Sequence, residues 1–162
     1  MPFGTMRIAK TLWHIQKMTD KTNLTDRDDL GLFCALIERV TVTFNPTRSI
    51  KIEIIRPVNS TEKTFRYEQG TLTFKNVIQS DLELKNERYE YPEFYRSAVL
   101  ETSDLLTKNI ETKGAKKGDY HDYYLYIDHG NSQGEYHIIC ETHELTMDNN
   151  PRLLSDFEGF QD

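Results

Sequence analysis

Val40-Thr41-Val42-Thr43-Phe44 and Ile50-Lys51-Ile52-Glu53-Ile54, joined further along by Tyr123-Tyr124-Leu125-Tyr126-Ile127 and Tyr136-His137-Ile138-Ile139-Cys140, decide the fold class. Apolar and polar residues alternate along them with period two, which puts one set on each face of a sheet. Thr71-Leu72-Thr73-Phe74 and Asp81-Leu82-Glu83-Leu84 repeat the pattern. Alternation of this kind specifies antiparallel strands with one face buried and one face wet.

The segments between these runs carry turn chemistry. Asn45-Pro46-Thr47-Arg48-Ser49 reads as a hairpin connection, because Pro presets φ and Asn and Ser bond their own backbone. Pro57-Val58-Asn59-Ser60 closes the next strand, and Phe65-Arg66-Tyr67 reads as a short strand. Gly70 punctuates before Thr71, and Gln79-Ser80 turns the chain toward Leu82. Short strands joined in this way predict a meander. A last hairpin runs from Tyr123–Asp128 to Glu135–Glu141 across a loop with two glycines, and Glu144-Leu145-Thr146-Met147 extends the sheet.

Helical periodicity is confined to fewer places. Ile8, Leu12 and Ile15 share a face within Thr5–Met18, with Arg7, Lys10, His14 and Lys17 forming a basic stripe. Thr25, three residues before Asp28, fits an N-cap ahead of Leu30, Phe33, Cys34 and Ile37, although these residues equally lead straight into the strand at Val40. Residues 86–119 admit two readings: a helix after Pro92 lined by Tyr95, Val99, Thr102, Leu106 and Ile110, or a strand over Ser97–Glu101 followed by a short helix capped by Ser103. Gly114 ends the helix in the first reading, and Lys113–Gly118 reads as a mobile surface loop. The expected fold is α+β, with an N-terminal helix or helices packed on an antiparallel sheet of about six strands, curled into a sandwich or half barrel. One domain is expected over residues 1–150, followed by an acidic C-terminal tail, 151–162, in which Leu153, Leu154, Phe157 and Phe160 fall at helical spacing.

At 162 residues, 37% hydrophobic and 28% charged, the chain has the composition of a globular domain able to bury a core. No apolar run approaches the roughly 18 residues that a membrane span needs, and no signal peptide is legible, so a cytoplasmic location is expected. Cys34 and Cys140 then read as reduced, buried thiols. A net charge of −6 opposes binding to nucleic-acid phosphates and suits a basic partner.

Motifs for chemistry are absent: there is no nucleophile elbow, phosphate loop, dinucleotide fingerprint or zinc-ligand pair. No catalytic residue, metal ligand or cofactor is expected. His121, Asp122, Asp128, His129, His137 and His143 crowd into 23 residues, and a metal-dependent or acid–base enzyme using His121, His129 and His137 is the alternative from another class. The aromatic content points elsewhere. Tyr124 and Tyr126 share parity with Asp122 and Asp128, while Leu125 and Ile127 take the core face. An exposed Tyr/Asp face combines contact area with charge, so Tyr124, Tyr126, Asp122 and Asp128 are the expected binding residues. The leading expectation is a non-catalytic protein that binds, and so inhibits, a basic protein partner; a Tyr-lined module for a small ligand is a further alternative.

The succession Phe33 to Phe44, the Asn45-Pro46 turn, Ile50 to Ile54, Leu72 to Val77, Leu82 to Leu84 and Tyr136 to Glu141 resembles small β-rich bacterial proteins of toxin-immunity type over about half the chain. The resemblance is one of pattern. It implies an acidic cytoplasmic protein that neutralises a toxin by binding it.

Overall fold

Eight strands carry the chain through the residues that the computed structural model describes, 27–58, 65–86, 91–129 and 132–160. They are β1 (Leu36–Thr43), β2 (Ser49–Val58), β3 (Arg66–Lys75), β4 (Gln79–Asn86), β5 (Phe94–Leu100), β6 (His121–His129), β7 (Ser132–Cys140) and β8 (Thr142–Met147). All pair antiparallel, in two four-stranded sheets: β1-β2-β3-β8 (sheet B) and β4-β7-β6-β5 (sheet A). The expectation of N-terminal helices on one sheet of about six strands is overturned. Helix α1 (Asp104–Lys113), the only α-helix among the described residues, connects β5 to β6. The basic helix expected over Thr5–Met18 and the Thr25 cap lie outside the described residues.

Two sheets arise because one long ribbon bends. β3 runs into β4 through Asn76-Val77-Ile78, and β7 runs into β8 through Glu141, so both arms change sheet at the same corner. Asn76 takes a left-handed φ of 55°, and its side-chain amide donates to Glu141 across the ribbon. Ile78 N donates to Ile139 O at 2.9 Å, which carries the pairing on into sheet A. The bend lays the sheets face to face over one core: Ile50, Ile52, Ile54, Leu72 and Phe74 from sheet B against Phe94, Tyr123, Leu125, Ile127, Tyr136, Ile138 and Cys140 from sheet A. These are the alternate positions that periodicity marks as apolar.

Local rules account for the differences at element level. Leu30–Ile37 is not a helix. Gly31 and Cys34 both have φ near +60°, and Asp28 instead gathers Leu32 N, Phe33 N and the Ser97 hydroxyl into a tight loop beside β5. Phe94–Leu100 is a strand, and Ser103 caps the helix by accepting from Leu106 N at 3.0 Å; the second reading of residues 86–119 is the observed one. Gly70 lies within β3 rather than before it. A Cβ there would stand 2.8 Å from Thr146 O and 2.3 Å from Met147 Sδ, so the glycine admits β8 alongside.

The C-terminal segment folds back on the outer face of sheet B. Arg152 exchanges both backbone hydrogen bonds with Tyr67, and its guanidinium stands 4.0 Å from the centre of the buried Phe157 ring. A short 3-10 turn (Leu154–Asp156) precedes that ring, and Phe160 stacks on Tyr91 at 4.1 Å. No described helix is long and apolar enough to cross a membrane.

Candidate functional site: the outer face of sheet A

Strand register orders the outer face of sheet A into rows. The first is Leu100, Asp122, Ile139 and Gln79; the second is Ala98, Tyr124, His137 and Asp81; the third is Arg96, Tyr126, Glu135 and Glu83. Asp128, Gln133 and Lys85 begin a fourth.

Helix α1 covers the first row. Asn109 Nδ2 donates to Gln79 at 2.6 Å, Lys113 Nζ to the Ile78 carbonyl at 2.7 Å, and Leu106 is buried beneath. Asp122 is 1% exposed, accepting from Ser103 Oγ at 2.8 Å and from His137 Nδ1 at 3.3 Å. One hydroxyl thus caps the helix and also ties it to the sheet. The Tyr124 ring lies 5.0 Å from the His137 ring and is itself buried. Burial, and then the charge of Glu135, push its phenol well above the usual range, so the hydroxyl stays protonated.

The expected Tyr/Asp face therefore keeps its parity but not its exposure. Asp122, tied to Ser103 at the helix cap, and Tyr124, packed with Ala98, Leu100 and the His137 ring, are buried, whereas Tyr126 and Asp128 remain half-exposed, with the Tyr126 hydroxyl 3.5 Å from Asp128 Oδ2. What stays open is the third row and the aromatic ladder beside it. A β-bulge between Phe94 and Arg96 turns Tyr95 outward. Phe33, more than half exposed, meets the Tyr95 ring edge-on at 5.8 Å, and Tyr95 meets Tyr126 at 6.4 Å. The Arg96 guanidinium stands 5.0 Å from the Tyr95 ring and 5.9 Å from that of Tyr126, so both tyrosines share one cation. Asp81 is exposed on the β4 flank, as is Glu83. Tyr95 belongs to the Tyr/Phe cluster visible in the sequence, but its pairing with Arg96, Phe33 and Tyr126 depends on the bulge, which no local pattern signals.

The histidine constellation divides between the two faces of sheet A, with His143 joining His121 beside Tyr123. His121 faces the core side with Tyr123, while His137 faces outward with Tyr124 and Asp122. His121 and His137 stand on opposite faces of the sheet and so do not share one ligand set. Among the described residues no group of three or more His, Cys, Asp or Glu is placed to hold a metal ion.

A separate cavity of about 440 Å³ opens on sheet B beneath the C-terminal segment, lined in part by Glu38, Arg39, Glu53, Gln69, Arg152 and Phe157. Several of its charges are engaged: Arg39 with Glu53 at 3.2 Å, Glu38 with the Gln69 amide at 2.9 Å, and Arg152 with Asp148 at 2.7 Å.

No protein-family model, no curated protein and no solved structure matches this chain. The resemblance to immunity-type proteins rests on strand pattern alone.

Proposed function

We propose that this protein is a non-catalytic binding protein whose outer sheet A face receives a basic segment of another protein. The observation that carries the reading is the open Phe33–Tyr95–Arg96–Tyr126 ladder, bordered by the carboxylates of Asp81, Glu83 and Asp128. Tyrosine and arginine dominate the centres of protein interfaces, because they bring large contact area with little side-chain entropy to lose. Each aromatic ring here is already oriented by its neighbour, which reduces the ordering that binding requires. The carboxylate border and the net charge of −6 favour a partner rich in Lys and Arg, and they steer its approach. Inhibition follows if the bound segment is one that the partner needs.

The test is affinity capture from the native cell with wild type and Tyr95→Ala/Tyr126→Ala side by side, with partners identified by mass spectrometry. A basic protein held by the wild type and lost by the double variant, whose circular dichroism is unchanged, is the expected result. Identical recovery on both baits places the interface elsewhere. With the partner in hand, Asp81→Asn/Glu83→Gln lowers the association rate and flattens its salt dependence, while the tyrosine variant raises the dissociation rate.

A further inference from the structure

The described chain begins against the aromatic ladder itself. Arg27 O accepts from Ser97 N at 3.2 Å, the Arg27 guanidinium donates to the Val99 carbonyl at 3.1 Å, and Asp28 bridges to Ser97 parallel to β5. The chain thus joins the sandwich within two positions of Tyr95 and Arg96, the ladder residues that β5 supplies. From there to β4, across the open face, is three strand spacings, or about 14 Å. Residues 19–26 can span at most about 26 Å, so residues 5–18 can reach any part of that face.

Charge and apolar pattern match on the two sides. In the second to fourth rows the carboxylates of Asp81, Glu83, Asp128 and Glu135 outnumber the cations of Arg96 and Lys85. Residues 5–18 hold Arg7, Lys10 and Lys17 and no Asp or Glu, with Ile8, Leu12 and Ile15 recurring at helical spacing. We propose that this segment of the same chain is the resident occupant of the Phe33–Tyr95–Arg96–Tyr126 ladder, so that an outside basic partner binds only by displacing it. The inference rests on the reading of this face as a receptor for basic segments. A short tether gives the segment an effective concentration of about 1 mM, so contacts too weak to hold two separate molecules together suffice to keep it seated. The partner's apparent affinity is then reduced by the fraction of molecules left open.

Trp13, the chain's single tryptophan, lies within the segment and reports its position in the intact protein. Its fluorescence is expected to be at least about threefold less quenched by acrylamide in wild type than in Tyr95→Ala/Tyr126→Ala or in Arg7→Glu/Lys10→Glu/Lys17→Glu. The second variant leaves the sandwich residues unaltered and serves if the first fails to fold. Protection is expected to persist on dilution, as a contact within one chain requires. Trp13 as open to acrylamide in wild type as in the charge-reversed variant, protection that survives either set of substitutions, or protection lost on dilution, which marks a contact between copies, overturns the proposal. No partner enters this measurement. A seated Trp13 with no captured protein therefore fails the partner reading alone, and a captured protein with Trp13 open fails this inference alone.

Discussion

Asp122→Ala removes the carboxylate that joins helix α1 to sheet A, and its effect can be worked from the geometry. The side chain is 1% exposed and accepts at 2.8 Å from Ser103 and at 3.3 Å from His137. Hydrogen bonds to an ionised acceptor contribute roughly 1.5–3 kcal/mol each. The shorter bond belongs in that range. The longer one contributes less, because the His137 ring is partly exposed and recovers a water partner when the carboxylate is gone. Removing the buried charge also recovers part of its desolvation, which offsets some of the loss. The helix cap itself survives, because Ser103 Oγ still accepts from Leu106 N. The net expectation is a loss of about 2 kcal/mol, or roughly 4–8 °C in melting temperature for a domain of this size. Urea unfolding followed by circular dichroism measures it. Ser103→Ala, which removes both the cap and one carboxylate partner, is expected to lose about as much. The double variant should fall short of the sum by about 1.5 kcal/mol or more, because one bond is counted twice. An Asp122→Ala stability within about 0.5 kcal/mol of wild type, or strict additivity with Ser103→Ala, would mean that this carboxylate does not tie the helix to the sheet.

Gly134→Ala would bring a Cβ to 2.1 Å from the Glu83 carbonyl, a backbone atom that cannot step aside, so a loss above about 3 kcal/mol or failure to fold is expected in the same unfolding assay. Phe157→Ala empties a buried site beneath the Arg152 guanidinium; a loss of roughly 3 kcal/mol, with faster exchange at Tyr67, is expected, and an unchanged melting curve would detach the C-terminal segment from the stability of the sandwich. Cys140, buried and raised to about 12, should resist thiol reagents at neutral pH until the protein unfolds, and prompt native labelling at that position would contradict its placement. Tyr124→Ala should destabilise by at least about 2 kcal/mol and Tyr126→Ala by clearly less, since only the first ring is buried; the reverse order would disprove the assignment of the open face to the third row.

Which residues alternate, and with them most strands and their core faces, is legible in the sequence alone. Ile50, Ile52 and Ile54 against Lys51 and Glu53, or Leu125 and Ile127 against Tyr124 and Tyr126, are fixed by a period that every extended backbone must obey. It also held the helix signature of Ser103 and Gly114, because caps satisfy a local need of the chain. How the strands divide is set by packing in three dimensions. The turn at Asn76 and the break at Glu141 keep the alternation on both sides, so nothing local distinguishes one continuing sheet from a ribbon folded across a corner into two. For the same reason the outer face of β6 is legible as a face but not as a surface. Whether Asp122 meets water depends on the helix that follows β5 in the chain, whether Tyr124 does depends on the side chains of β5 and β7 packed beside it, and whether Tyr95 joins Arg96 and Tyr126 depends on a bulge one residue long. Period and capping are interactions between near neighbours in the chain; coverage and convergence are set by groups tens of residues apart, and only the packed sheets bring them together.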